Sequence, residues 1–267
     1  MHRHFVAVIA LTGALALASG CSSSTKSSQQ STPVGGGTNS AAAVSGIVNV
    51  FAASSLTEAF TTIATQFEAA NPGVKIKLNF GASSDLANSI NQGAPADVFA
   101  SASPKNMQQV NDAGGASAST NFVKNFMEIA VPPNNPAGIT GVADLAKKGV
   151  KVALCAAQVP CGKTAAQVFT NAKITVKPVT LEQNVKSTLT KVELGEVDAG
   201  VVYVTDVKAA GSKVKGIVIP AHLDASTEYP IAALTKAAHS AGAKAFVAYV
   251  LSPAAQAVLA AAGFEKP

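Results

Sequence analysis

The stretch "VFAASSLTEAF", Val50 to Phe60, runs from an apolar segment into helical spacing, with Ser54 and Ser55 at the joint. Val50 to Ala53 reads as a buried strand. Leu56, Phe60, Ile63 and Phe67 recur every three to four residues, which predicts an amphipathic helix that stops at Asn71-Pro72-Gly73. Two explanations suit the serines. Ser55-Leu56-Thr57-Glu58 fits a capping box, with Ser55 at the N-cap and Glu58 reaching back. Alternatively, the hydroxyls line a polar pocket. The same joint recurs in "FGASSDLANS", Phe80 to Ser89, where Ser83 and Ser84 precede Asp85.

Around these joints, strand and helix patterns alternate. "VKIKLNFG" (74–81) and "ADVFASAS" (96–103) read as strands, and "SSDLANSINQG" (83–93) as a short helix. After Pro132-Pro133 a second set follows. "DLAKKG" is a short helix, "VKVALCAA" a strand, "GKTAAQVFTNAK" a helix and "ITVKPVT" a strand. "QNVKSTLTKVELGEV" is a helix and "AGVVYVTDV" a strand. "EYPIAALT" adds a strand, and residues 237–264 form two helices split at Ser252-Pro253. Such βαβ alternation predicts mostly parallel sheets covered by helices, with ligands at the carboxyl ends of the strands. Two sets of similar size predict two lobes with a cleft between them.

Residues 1–20 read as a secretory signal peptide: a basic head, an apolar run too short for a comfortable membrane span, then small residues. Leu17-Ala18-Ser19-Gly20-Cys21 looks like a lipobox, which makes Cys21 the expected lipid attachment point and anchors the protein to the outside of the cell membrane. Residues 21–46 carry almost no apolar bulk and read as a flexible linker. Setting aside Arg3 and Lys26, the remainder has 18 lysines against 15 acidic residues and no arginine. The lysines are scattered and the aromatics few, which argues against a nucleic-acid partner.

The sequence offers little for catalysis. His222 and His239 stand far apart, and no nucleophile elbow, HExxH pair, Walker loop or dinucleotide fingerprint occurs. Cys155 and Cys161 lack a third cysteine or histidine to complete a zinc site. Outside the cytoplasm, a disulfide is their expected state, the alternative being two free thiols.

Two helix starts at the same edge of a parallel sheet would aim unpaired N–H groups and the positive ends of two helix dipoles at one spot. That is an anion site with no formal cation. The joints, together with "VPCGKTA", "QNVKSTL", "GVVYVTDV", "EYPIAAL" and "SPAAQAVLAAAGF", closely resemble the periplasmic molybdate-binding proteins of bacterial ABC transporters. The likeness runs from Ile47 to Phe264, in order. It implies an α/β type II periplasmic-binding-protein fold with two crossing strands, near "FMEIAVPP" and "EYPIAALT". Lobe 1 would be 47–127 with 228–267, and lobe 2 would be 128–227. It further implies a monomeric, non-enzymatic receptor with no cofactor, whose partners are the molybdate or tungstate ion and an ABC permease. By motif, Ser55 and Ser83 would offer hydroxyl and amide, Cys161 and Val185 backbone N–H, and Tyr203 its hydroxyl. Without the resemblance, Val185 reads equally as a first-turn helix residue and Tyr203 as a core residue.

Molybdate carries no proton at neutral pH and needs donors on every side. Hydrogen phosphate needs an acceptor as well; without one, a buried mismatch costs roughly 1–3 kcal/mol. Asp85 or Asp97 would supply that acceptor if either pointed inward. Sulfate has the same charge, so only cavity size rejects it. The alternatives are a sulfate or phosphate receptor of the same fold, or a secreted hydrolase using a paired serine. Lys163 and Lys186, beside two contact positions, either steer the anion or are solvated surface residues.

Overall fold

The computed structural model describes residues 44–267. The expected signal peptide (1–20), the expected lipid site Cys21 and the expected linker (21–46) as far as residue 43 lie outside the described residues. In chain order the elements are β1 (Gly46–Ala53), α1 (Thr57–Ala70), β2 (Val74–Gly81), α2 (Ser83–Asn91), β3 (Val98–Ala100), α3 (Pro104–Asp112) and β4 (Thr120–Val131). Then come β5 (Val152–Cys155), α4 (Pro160–Ala172), β6 (Thr180–Glu182), α5 (Val185–Glu193), β7 (Ala199–Tyr203), α6 (Val204–Ala210) and β8 (Lys215–Val218). The chain closes with β9 (Ser226–Ala233), α7 (Ser240–Val250) and α8 (Pro253–Ala262).

The strands follow the order β2-β1-β3-β9-β4-β7-β5-β6, with β8 on the side of β4. β1 pairs in parallel with β2 and β3, and β5 in parallel with β6 and β7. The antiparallel pairings all involve β4 or β9, the two long strands that cross between the lobes. This is the two-lobed α/β binding-protein architecture. Each lobe has its own core. Val48, Val50, Phe60, Ile63 and Phe246 belong to one, and Ile129, Val152, Val168, Leu189 and Val201 to the other. The α1 stripe is buried as its spacing predicts, with Phe60 edge-on to Phe246. Fully burying such a side chain contributes roughly 1.5–3 kcal/mol.

Several local readings change. "ITVKPVT" joins the sheet only at Thr180, because Pro178 has no N–H for a ladder. "DLAKKG" lies at a 3₁₀ turn, Val142–Ala146, where the Asp144 carboxylate accepts the N–H groups of Thr140 and Gly141. The strand read through "AGVVYVTDV" ends at Tyr203. α6 begins there because Asp206 accepts the Tyr203 N–H at 3.1 Å. α3 and β8 went unread. α3 is mostly polar and betrays itself only by Pro104 at its start and buried Met107 and Val110.

Register is what builds the site. Ala53 at the end of β1 lies opposite Gly81 at the end of β2, so the two serine joints leave the sheet side by side. In the other lobe Cys155 lies opposite Glu182, which sets the starts of α4 and α5 next to each other.

Candidate functional site

The carboxyl ends of both parallel sets face one small cavity, with about 10 Å³ of free space inside it. It is lined by Ser54, Ser55, Ser83, Cys161, Val185 and Tyr203 among others. All five positions singled out in the sequence are on its wall. They are nearly closed off from solvent: Ser55 is 4 %, Ser83 1 %, Cys161 3 %, Val185 2 % and Tyr203 1 % exposed. A drug-sized pocket runs to roughly 300–1,000 Å³. This cavity suits something smaller.

Neither serine is a helix cap. Ser55 sits inside a 3₁₀ turn (Ser54–Leu56), and α1 starts after it with no side-chain cap. Its hydroxyl instead meets the Tyr229 hydroxyl at 2.8 Å. Ser83 is the first residue of α2, and its Oγ accepts the Ala102 N–H at 2.8 Å. Glu58 does not reach back to Ser55 but across to Lys186 of the other lobe, at 2.9 Å. The capping reading fails because both partners are remote in sequence and local spacing cannot reveal them.

The opposite wall is backbone. Pro160 occupies the first position of α4, so the first N–H of that helix belongs to Cys161. First-turn N–H groups lack intrahelical partners. The approach is tight: a Cβ on Gly162 would stand 2.1 Å from the Ala156 carbonyl oxygen. A disulfide joins Cys161 to Cys155 at the end of β5, with Cα atoms 5.8 Å apart. At α5, Asn184 caps the Ser187 N–H through its side chain at 3.0 Å, and Val185, at the first helical position, lines the cavity with an N–H that has no intrahelical partner. Asn184 was missed in the sequence, although an asparagine just before an amphipathic run is a helix-start signal.

Tyr203 completes the wall. Its hydroxyl is buried beside those of Thr164 and Tyr229 without a well-formed hydrogen bond among the described residues, and burial pushes its pKa up, so it keeps its proton to donate. Among the described residues no charged side chain lines the cavity. Asp85 is exposed. Asp97 is buried elsewhere and accepts the Asn49 and His239 N–H groups at 2.7 and 3.2 Å. His222 and His239 are exposed. Lys186 does not line the cavity and is partly buried. It pairs with Glu58 and, at 3.2 Å, with the fully buried Asp206. Burial pushes Asp206 up to about 6, partly offset by Lys186 and the Tyr203 N–H. Burial alone would lower Lys186, but Asp206 and Glu58 more than compensate and raise it. Lys163 is exposed.

What the arrangement can do is enclose a small anion with uncharged donors from both lobes, each helix start adding its dipole.

The chain is 42% identical over 219 residues to the molybdate-binding protein ModA of Mycobacterium tuberculosis, covering 82% of this chain and 84% of that one. It is 31% identical over 272 residues to YvgL of Bacillus subtilis, provisionally named an ABC transporter substrate-binding lipoprotein, with 99% of each chain covered. The solved periplasmic molybdate-binding protein of Azotobacter vinelandii superposes with a TM-score of 0.74 at 22% identity, covering 82% of this chain and 99% of that one, a likeness of fold. Residues 48–265 match the family model for bacterial extracellular solute-binding proteins, a span that takes in both serine joints, both amide-bearing helix starts and both crossing strands; the chain is a member of that family.

Proposed function

We propose that this chain is an extracytoplasmic receptor that captures molybdate, and tungstate with it, and delivers it to an ABC permease. One observation carries the reading: a small cavity walled by uncharged donors, with no carboxylate in its lining among the described residues. A naked tetrahedral dianion is satisfied by donors alone, and charge-assisted bonds to it are the strong kind. The names borne by its relatives point the same way.

In this reading Ser55, Ser83 and Tyr203 donate hydroxyl protons, and Cys161 and Val185 donate backbone N–H. Lobe 1 comprises 47–127 with 228–267 and lobe 2 comprises 128–227; they close on the ion by bending at β4 and β9. The receptor acts as a monomer and uses no cofactor. Lipid on Cys21 and the tether after it hold it at the membrane, in keeping with the name given to YvgL. In this reading the serines bind and do not react; among the described residues the cavity wall holds neither a histidine nor a lysine that could act as their base.

Thermal shift tests the reading. Molybdate at 100 times its dissociation constant should add about 2.7 kcal/mol of stability. Molybdate and tungstate are expected to raise the melting temperature more than sulfate, and phosphate least. A rise with sulfate or phosphate alone overturns the assignment. Labelling of Ser55 or Ser83 by a fluorophosphonate would turn it toward a hydrolase.

A further inference from the structure

Behind the cavity, three buried groups from the crossing strands and α6 form a chain that ends on Ser55. Tyr229 on β9 is fully buried and lies 2.8 Å from the Ser55 hydroxyl. Asn125 on β4 is 1 % exposed. Its Nδ2 lies 2.8 Å from the Thr205 hydroxyl and, as a long contact, 3.5 Å from the Tyr229 hydroxyl. Its Oδ1 accepts the Phe126 N–H at 3.1 Å, which assigns the two ends of the amide.

We propose that Asn125 and Tyr229 act as positioning residues, a donor relay that turns the Ser55 proton into the cavity and so sets a preference for fully deprotonated oxyanions. This rests on the oxyanion reading of the site. An amide NH₂ only donates. Facing it, Tyr229 presents its oxygen and sends its single proton to Ser55. Burial holds the Tyr229 phenol well above its ordinary pKa, so that proton stays in place. With its lone pair engaged, Ser55 has its own proton free for the cavity. Ser83 reaches the same polarity in one step, because its Oγ accepts the Ala102 N–H. Were either hydroxyl to turn, it would offer a lone pair. That would repel a bare dianion but accept the proton of hydrogen phosphate.

The test is calorimetric titration with molybdate at pH 7, with inorganic phosphate measured by competition, on wild type, Tyr229→Phe, Asn125→Asp and the double variant. Tyr229→Phe keeps the ring, which packs edge-on against Phe122, Tyr203 and Phe264. It should weaken molybdate about tenfold, the worth of one net hydrogen bond, and narrow the molybdate-to-phosphate ratio by at least as much. Asn125→Asp replaces the donor with an acceptor, draws the Tyr229 proton away and should weaken molybdate further. That extra loss should largely vanish in the Tyr229→Phe background. An unchanged ratio in Tyr229→Phe overturns the relay. So does an Asn125→Asp loss of equal size in both backgrounds, which marks simple charge repulsion. If wild type itself takes no molybdate, the oxyanion reading fails instead. Should Asn125→Asp not fold, the ratio in Tyr229→Phe alone decides.

Discussion

The two walls of the cavity solve one problem in different ways. In the proposed receptor, the donors on the Ser55 and Ser83 side are hydroxyls, which rotate, so their direction depends on a partner behind each one. On the Cys161 and Val185 side, Tyr203 apart, the donors are backbone N–H groups, whose direction is fixed by the helix they begin. The first wall is therefore open to revision by changing side chains. The two amides of the second yield only when the backbone is changed. In this reading selectivity is adjustable at one wall and affinity is anchored at the other.

The largest expected effect comes from moving the backbone wall. Gly162→Ala puts a methyl group against the Ala156 carbonyl, where no flexible side chain can give way. Overpacking of this kind costs roughly 1–3 kcal/mol. Urea denaturation of the ligand-free protein should show that loss, with oxyanion binding lost as well.

Next come paired substitutions that separate the walls. Val185→Pro removes one N–H at a helix position that tolerates proline. Asn184 already has the extended backbone that must precede it. A charge-assisted bond is worth roughly 1.5–3 kcal/mol, so the molybdate dissociation constant should rise about 10- to 150-fold. Val185→Ala keeps the N–H and should shift it little. Ser83→Ala should weaken binding comparably and also lower apo stability, because it strands the buried Ala102 N–H. If Val185→Ala matches Val185→Pro, the amide wall is not a donor wall.

A smaller effect is expected from the double substitution Cys155→Ala, Cys161→Ala. Losing so short a covalent loop should cost roughly 2 kcal/mol on the chain-entropy account. The amide of residue 161 persists, so affinity should fall far less than in Val185→Pro.

The smallest effect tests the charges set back from the cavity. The Asp206 pKa is pushed up to about 6 from an ordinary 3.8, so between these values the folded protein binds more protons than the unfolded chain. Stability from this group is full below about 3.8 and is lost as pH rises through about 6. Asp206→Asn removes that dependence. Melting temperatures of the ligand-free proteins should favour wild type over the variant more at pH 5 than at pH 7.5.

The asymmetry between the walls also explains what could be read in advance. The serine joints and the α1 stripe are legible in the sequence, because periodicity and punctuation are local, whereas strand ends such as those of β3 and β7 are not. Parallel pairing then implied that the joints meet. The meaning of the serines was not local. Ser55 finds its partner 174 residues away, and Ser83 finds one 19 residues away. Glu58 mimics the third residue of a capping box while bonding across 128 residues to Lys186. Lys186, ambiguous as a surface lysine, proved to be clamped between two carboxylates from different elements. Short polar elements such as α3 escaped because their burial is decided by what packs onto them.

A cage built wholly of neutral dipoles holds an ion without cancelling its charge. Since no charged side chain among the described residues lines the hollow, a receptor loaded with the proposed dianion would differ from an empty one by the full double negative charge of its cargo. The two forms should therefore elute separately from an ion-exchange column. That charge would give a transporter an electrical cue by which to tell a carrier worth docking from one that has already delivered.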